Sequence, residues 1–335
     1  MVALMATLSG CFAIDEDLSG CGEDYKLTYQ LRLITNMTTE LETVLSEESD
    51  APVREALRNH LSTIFSDYAH DVDLSFYTTR QDSTRTHHET HIMDANQSSY
   101  TIYLPVREYM HLAVANIDNE KYINLQQDDV CHHATLVQQR MDTIPPHTTG
   151  VFSARLPMSV QEGQNQDFLV PLYMTNSAVA LVIDTMNVAT ENIQVVVADM
   201  ATSFSICDST YQFDRSPLVR NIELPVATGR QRCYTTICFP SRNTATRVEG
   251  SISDDGSIIR LNGGEDGSIW RIKAYVTLPN GDVVENILHL RQPLQAGNLK
   301  IIKVILQPDG SFIPSDMEVG ASIDLGWKKG NVFPV

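Results

Sequence analysis

The chain is 335 residues long and 42% hydrophobic, with a formal net charge of -18 from 24 Lys and Arg against 42 Asp and Glu. That length accommodates two domains of ordinary size, while the acidity excludes nucleic acid as a partner, since phosphate binding needs clustered cations. It also excludes charge-driven adsorption to anionic lipid, and beyond the N-terminus no stretch is long and apolar enough to span a bilayer as a helix.

The chain opens on an apolar run from Val2 that ends Leu8-Ser9-Gly10-Cys11. A leucine, two small residues and a cysteine resemble the lipobox of bacterial lipoproteins. The resemblance implies a diacylglycerol on the sulfur of Cys11, cleavage just before it, and a membrane tether in which each buried methylene contributes about 0.8 kcal/mol. No Lys or Arg precedes Lys26; because signal peptides open on basic residues, we expect the true start a few codons upstream. Asp15-Glu16-Asp17 follows closely, and residues 1–50 hold ten acidic side chains against Lys26 and Arg32. Acidic residues behind a lipid cysteine resemble the surface-export signal of Bacteroidetes lipoproteins, so the expected location is the cell outer membrane, exposed at the surface.

After an acidic, Gly-containing linker, Tyr25, Leu27, Tyr29, Leu31 and Leu33 alternate with polar residues, which predicts a half-buried strand. Residues 36–51 are polar and carry no element in this reading. Pro52 suits a first helical turn, and Val53, Ala56, Leu57, Leu61, Ile64 and Phe65 follow at helical spacing, so one helix is predicted there. Val72, Leu74 and Phe76 predict a strand face; Tyr100–Pro105 and Tyr109–Ile117 predict two strands joined by a short turn. Residues 131–141 read as helical or looped. Pro145-Pro146-His147-Thr148-Thr149-Gly150 punctuates the chain. We therefore divide it into a lipoprotein segment and linker (1–24), an N-terminal domain (25–146) and a C-terminal domain (147–335).

The second half predicts strands at 152–160, 168–174, 179–185, 194–198, 232–239 and 246–252, and a cleanly alternating one from Trp270 to Leu278. Asp255-Gly256, Asp266-Gly267, Asn280-Gly281 and Asp309-Gly310 are hairpin-type turn pairs. Val319, Ala321, Ile323, Leu325 and Trp327 form one apolar face of a last strand. It reads first as the closing strand of its own sheet, and second as a strand available to another subunit's sheet. The fold class is mainly all-β: two antiparallel β-sandwich domains, the first with a helical excursion.

Catalytic signals are missing. His87-His88-Glu89-Thr90-His91 has two histidines four apart, but His88 stands where a zincin needs Glu, and the polar neighbourhood predicts a solvated hairpin loop. Cys131-His132-His133 lacks a second half-site. Asp254-Asp255-Gly256 and Glu265-Asp266-Gly267 lack the ligand spacing of a calcium loop and read as turns. No nucleophile elbow, phosphate loop or dinucleotide fingerprint is present. We expect no enzyme, no metal and no cofactor other than the covalent lipid on Cys11. Of the remaining cysteines, Cys233 and Cys238 lie five apart on a predicted strand and so face opposite sides. Cys207 with one of these, and Cys21 with Cys131, are the open pairings.

These pieces in order resemble the fimbrillin-associated anchor proteins of Bacteroidales, the FimB-like minor fimbrial subunits. The resemblance runs from Cys11 and Asp17-Leu18-Ser19-Gly20-Cys21 through Tyr25–Leu33 and Val72-Asp73-Leu74-Ser75-Phe76-Tyr77 to Tyr103-Leu104-Pro105 and Tyr109–Asn116. Val106-Arg107-Glu108 departs from the family's Gly-containing turn, and Ala115-Asn116 stands near the family's Trp. The resemblance implies a two-domain, transthyretin-like lipoprotein that binds a fimbrial shaft subunit by strand complementation. Tyr25–Leu33 would keep the subunit's own groove filled, and the Val319–Trp327 face would be donated. Such a chain tethers the shaft to the outer membrane and ends its assembly. The alternatives are a polymerising or tip subunit of the fimbria, and a surface glycan-binding lipoprotein, which would need clustered exposed aromatics; Trp270 and Trp327 both fall in core-facing patterns.

Overall fold

The computed structural model describes residues 24–32, 37–66, 69–79, 84–92, 99–163, 165–227, 229–243, 269–315 and 321–328, without the side chains of 24–32 and 321–328. The expectations at Cys11, Cys21, Leu33 and Val319, the strand at 246–252 and the turns at Asp255-Gly256 and Asp266-Gly267 lie outside the described residues.

The described residues open with β1 (Asp24–Arg32) and two helices, α1 (Met37–Glu47) and α2 (Ala51–Leu61). The strands β2 (Asp71–Thr78), β3 (Arg85–Ile92), β4 (Ser99–Pro105) and β5 (Glu108–Ala115) follow. Next come β6 (Ile123–Gln126), β7 (Thr135–Gln138), β8 (Thr143–Ile144), β9 (Phe152–Ser159), β10 (Asp167–Pro171) and β11 (Tyr173–Met174). Two of the sheets, β10-β1-β4 and β11-β9-β5-β2-β3, enclose a common apolar core. Tyr100, Ile102 and Leu104 of β4 are buried in it with Val72, Leu74 and Phe76 of β2, as their period-two spacing predicts.

Two helices stand where one was expected. Polar residues dominate 36–51 and hide the first helix, yet Met37, Leu41 and Leu45 recur every four positions and are all buried. α2 starts as predicted: Asp50 caps it by accepting from the Val53 N–H at 3.1 Å, and Pro52 sits in its first turn. Leu45, Val53, Leu57 and Leu61 are fully buried, so shortening any of the leucines to Ala would cost about 2–5 kcal/mol.

The second half contributes β12 (Ser177–Asp184), β13 (Asn192–Ala198), β14 (Ser203–Ser205), β15 (Thr210–Gln212), β16 (Leu218–Arg220) and β17 (Ile222–Leu224). It closes with β18 (Gln231–Cys238), β19 (Trp270–Thr277), β20 (Val283–Leu290), β21 (Leu299–Leu306), β22 (Phe312–Pro314) and β23 (Ala321–Lys328). A five-stranded sheet, β17-β18-β12-β21-β22, faces a six-stranded one, β23-β20-β19-β13-β16-β8, across a second core. The continuous apolar run of β12 marks a strand buried on both faces: Val179, Leu181 and Ile183 enter this core, while Ala178, Ala180 and Val182 enter the first, against the helices. The first core is therefore built from both halves, with the buried faces of α1 and α2 inside it.

A fifth sheet ties them again. The sheet β15-β14-β7-β6 takes two strands from each half and covers the outer face of β2 and β5, burying Tyr77, Leu112 and Val114 beneath Leu136, Phe204 and Ile206.

The chain is mainly β, as expected, and strand pairing adds three details. The sheets are mixed: β1 runs parallel to β10, β12 to β21 and β16 to β8. β4 and β5 are joined by the short turn expected, Val106-Arg107, which carries the chain from one sheet to the other. Finally, sheet membership does not change at residue 146. β9, β10 and β11 all pair back into the first half, and β12 opens the second set of sheets. The Pro-Pro punctuation marks a real loop, but strand pairing fixes membership.

Candidate strand-exchange interface

β1 is paired along both of its edges. Tyr25 opposes Leu104, Leu27 opposes Ile102 and Tyr29 opposes Tyr100 across the antiparallel ladder to β4. Tyr29 and Leu31 stand against Phe168 and Val170 in the parallel ladder to β10. Its apolar positions are thus registered on the buried members of both neighbours, Leu104, Ile102, Tyr100 and Val170 among them.

β23 lies at the outer edge of the six-stranded sheet and pairs antiparallel with β20. Ala321, Ile323, Leu325 and Trp327 oppose Leu290, Leu288, Asn286 and Val284, all four buried. The first of the two readings of this strand, closure of its own sheet, describes this pairing. Beneath it, Asn286 clamps the end of the β21–β22 turn: its amide donates to the Gly310 carbonyl at 3.0 Å and its oxygen accepts from the Phe312 N–H at 2.8 Å. Gly310 adopts φ +83°, and a Cβ there would sit 2.9 Å from Val284 Cγ2, so the glycine is needed for both conformation and space. Asn280-Gly281 likewise turns between β19 and β20, with Gly281 at φ +82°. Trp270 is fully buried and donates its indole N–H to the Gln292 carbonyl at 2.8 Å, consistent with a core residue.

The histidine run is not a loop. It is the edge strand β3, with His87, Glu89 and His91 half-buried on one face and Thr86, His88 and Thr90 exposed on the other. Period-two alternation was present in the sequence, but neither face is apolar, so it carried no amphipathic contrast. Glu89 reaches both neighbours, 2.5 Å from His87 Nε2 and 2.8 Å from His91 Nε2. His88 lies 2.7 Å from Asp73. Both sets are short-range pairings within the sheet.

Among the described residues, three potential metal-ligand atoms come together at His132, Cys207 and Asp208. His132 is thus the one residue of Cys131-His132-His133 in that group, and Cys207 and Asp208 come to it from the β14–β15 turn. Cys131 and Cys207 Sγ stand 2.6 Å apart, both buried, while His132 Nδ1 lies 2.9 Å from Asp208 Oδ1 at the surface. The open pairing of Cys207 with Cys233 or Cys238 is not the contact seen, and that of Cys131 with Cys21 lies outside the described residues. Cys233 and Cys238 do face opposite sides of β18, one in each core, and burial pushes each thiol up to about 12. Two buried histidines go the other way: burial holds His111 down at about 3 against a backbone contact with Ser75, and His147 at about 4 against the charge of Glu120.

A comparison with curated protein sequences returns no match. Among solved structures, a candidate adhesin from Bacteroides ovatus superposes with a TM-score of 0.51 at 9% identity, covering 93% of this chain and 100% of the other. A candidate polysaccharide-binding protein from Bacteroides thetaiotaomicron gives 0.51 at 9% identity over 91% and 98%. The fimbrial anchor protein Mfa2 from Porphyromonas gingivalis gives 0.50 at 11% identity over 90% and 97%. At those identities the likeness establishes a common fold. The sequence itself matches the family of fimbrillin-A associated anchor proteins Mfa1 and Mfa2 over residues 49–279. The chain belongs to the fimbrillin-A associated anchor protein family.

Proposed function

We propose that this chain is the anchor subunit of a fimbria, held in the outer membrane by lipid on Cys11, and that it ends shaft assembly by donating a strand while accepting none. The observation that supports this reading is the double pairing of β1. The strand nearest the lipobox fills the place between β4 and β10 along both ladders. A chain that keeps β1 has no vacancy there for a neighbour's strand. β23, by contrast, is held by one ladder at a sheet edge, so releasing it would break pairing with β20 alone and leave the rest of the sheet intact. Edge strands are natural templates for pairing between chains. The partner implied is a shaft subunit whose own groove is open; the contact needs no cofactor.

The glycan-binding reading gains little. Among the described residues the well-exposed aromatic rings are Tyr103 and Tyr173, and they sit on different sheets, on β4 and β11. A sugar platform needs such rings side by side.

Intact-mass spectrometry of protein extracted from native outer membranes tests the proposal. The expected species begins at Cys11, carries acyl chains and is uncut after Arg32. A form without lipid and without β1 would overturn it and make the chain a polymerising subunit.

A further inference from the structure

We infer that Cys131 and Cys207 form a disulfide that covalently closes the sheet shared by the two halves of the chain. The two cysteines are 76 positions apart. One lies in the 3₁₀ turn before β7 and the other in the turn between β14 and β15. Those are the paired connections of the β15-β14-β7-β6 sheet, whose central ladder joins Thr135 to Ser205 and Val137 to Ser203. The ladder fixes both backbones, and the Ile206 N–H donates to the Ala134 carbonyl at 2.9 Å beside the sulfurs. Both side chains are thereby delivered to one place without freedom to part.

A Sγ–Sγ separation of 2.6 Å favours a sulfur–sulfur bond over a zinc held by both thiolates. Two thiolates on one zinc, each about 2.3 Å from the metal at tetrahedral angles, stand about 3.7 Å apart. The observed sulfurs are much closer, near the approach that a disulfide requires. His132 and Asp208 are satisfied by each other and by Ser205.

Closure forms one S–S bond and breaks two S–H bonds. Two protons and two electrons leave, and the electrons reduce the disulfide of a thiol–disulfide oxidoreductase to a dithiol. That acceptor belongs to oxidising, extracytoplasmic compartments, so the inference rests on the export reading above for its oxidant.

The test maps peptides from native membrane protein alkylated during denaturation without reductant, beside the full chain reduced and then exposed to oxidised glutathione. A Cys131–Cys207 cross-link in both samples, with Cys233 and Cys238 alkylated, is the expected result. Closure in vitro with free thiols in the native sample supports the pairing and tells against export. Thiols that stay free in both, or zinc bound mole for mole with both cysteines reduced, would overturn the inference. Reducing the closed wild-type chain should lower Tm on the order of 5 °C, whereas reductant should leave the Tm of Cys207→Ser unmoved.

Discussion

Replacing Lys303 by Met tests how the helical excursion is bolted to the second half of the chain. Glu48, at the end of α1, is buried to 1% side-chain exposure, and the Lys303 ammonium on β21 donates to its Oε1 at 2.6 Å. The same oxygen accepts from the Asp50 N–H at 2.9 Å, where the cap of α2 begins. Removing the cation strands a buried carboxylate. Breaking a fully buried pair costs about 3–5 kcal/mol, but Lys303 is 34% exposed and water screens part of the interaction, so about 2–3 kcal/mol is expected. Glu48→Gln on top of Lys303→Met removes the stranded charge and keeps an acceptor for the Asp50 N–H, so the double variant should recover to within about 1 kcal/mol of wild type. Urea denaturation of the four chains of this cycle supplies the coupling, and amide exchange in α1 and α2 locates the loss. A Lys303→Met chain within about 0.5 kcal/mol of wild type would refute the reasoning, as would a double variant no more stable than the single one.

Asn286→Ala removes both clamps on the β21–β22 turn and leaves the Phe312 N–H without its partner; a loss of about 2–3 kcal/mol is expected in the same urea assay. Gly310→Ala forces a side chain at positive φ against Val284 Cγ2; about 1–3 kcal/mol should be lost, and Val284→Ala should restore part of it if crowding rather than φ dominates. His111 and His147 are held neutral when folded, so their folded values lie below the unfolded 6.5. Below pH 6.5 the unfolded chain binds protons that the folded chain refuses, and stability should fall as pH drops from 6.5 toward about 4. Urea midpoints at pH 7 and pH 4.5 check this; a His111→Gln chain should show a shallower decline, and an equal one would count against the assignment.

Strands with one apolar face were legible because burial on one side writes period two into the chain: Trp270 to Leu278 is the clearest case. β12, buried on both faces, was legible as a run. α1 was not, because only three of its eleven positions are buried and polar residues outvote them in any window. β3 escaped for the related reason that a half-exposed edge strand can be polar on both sides. Parallel partners and the meeting of Cys131 with Cys207 depend on which distant segments come together, and local pattern does not encode that. Of the candidate interface, both strands could be placed from alternation alone, while their neighbours and the edge position of β23 required the sheets.

The parallel ladder between β1 and β10 also dictates an order of events as the chain emerges into the compartment where it folds. Thr28 waits for Asp167, and Leu31 for Val170, so the first sandwich cannot close until about 140 further residues have emerged. β12 likewise waits for β21. Such distant pairings make folding slow and leave strand edges open meanwhile. Until β10 docks, one side of β1 is an unfilled ladder, the same vacancy that a foreign strand could occupy. The nascent chain is therefore most open to wrong pairing before its own residues 167–171 arrive, and a holding chaperone would matter most in that interval.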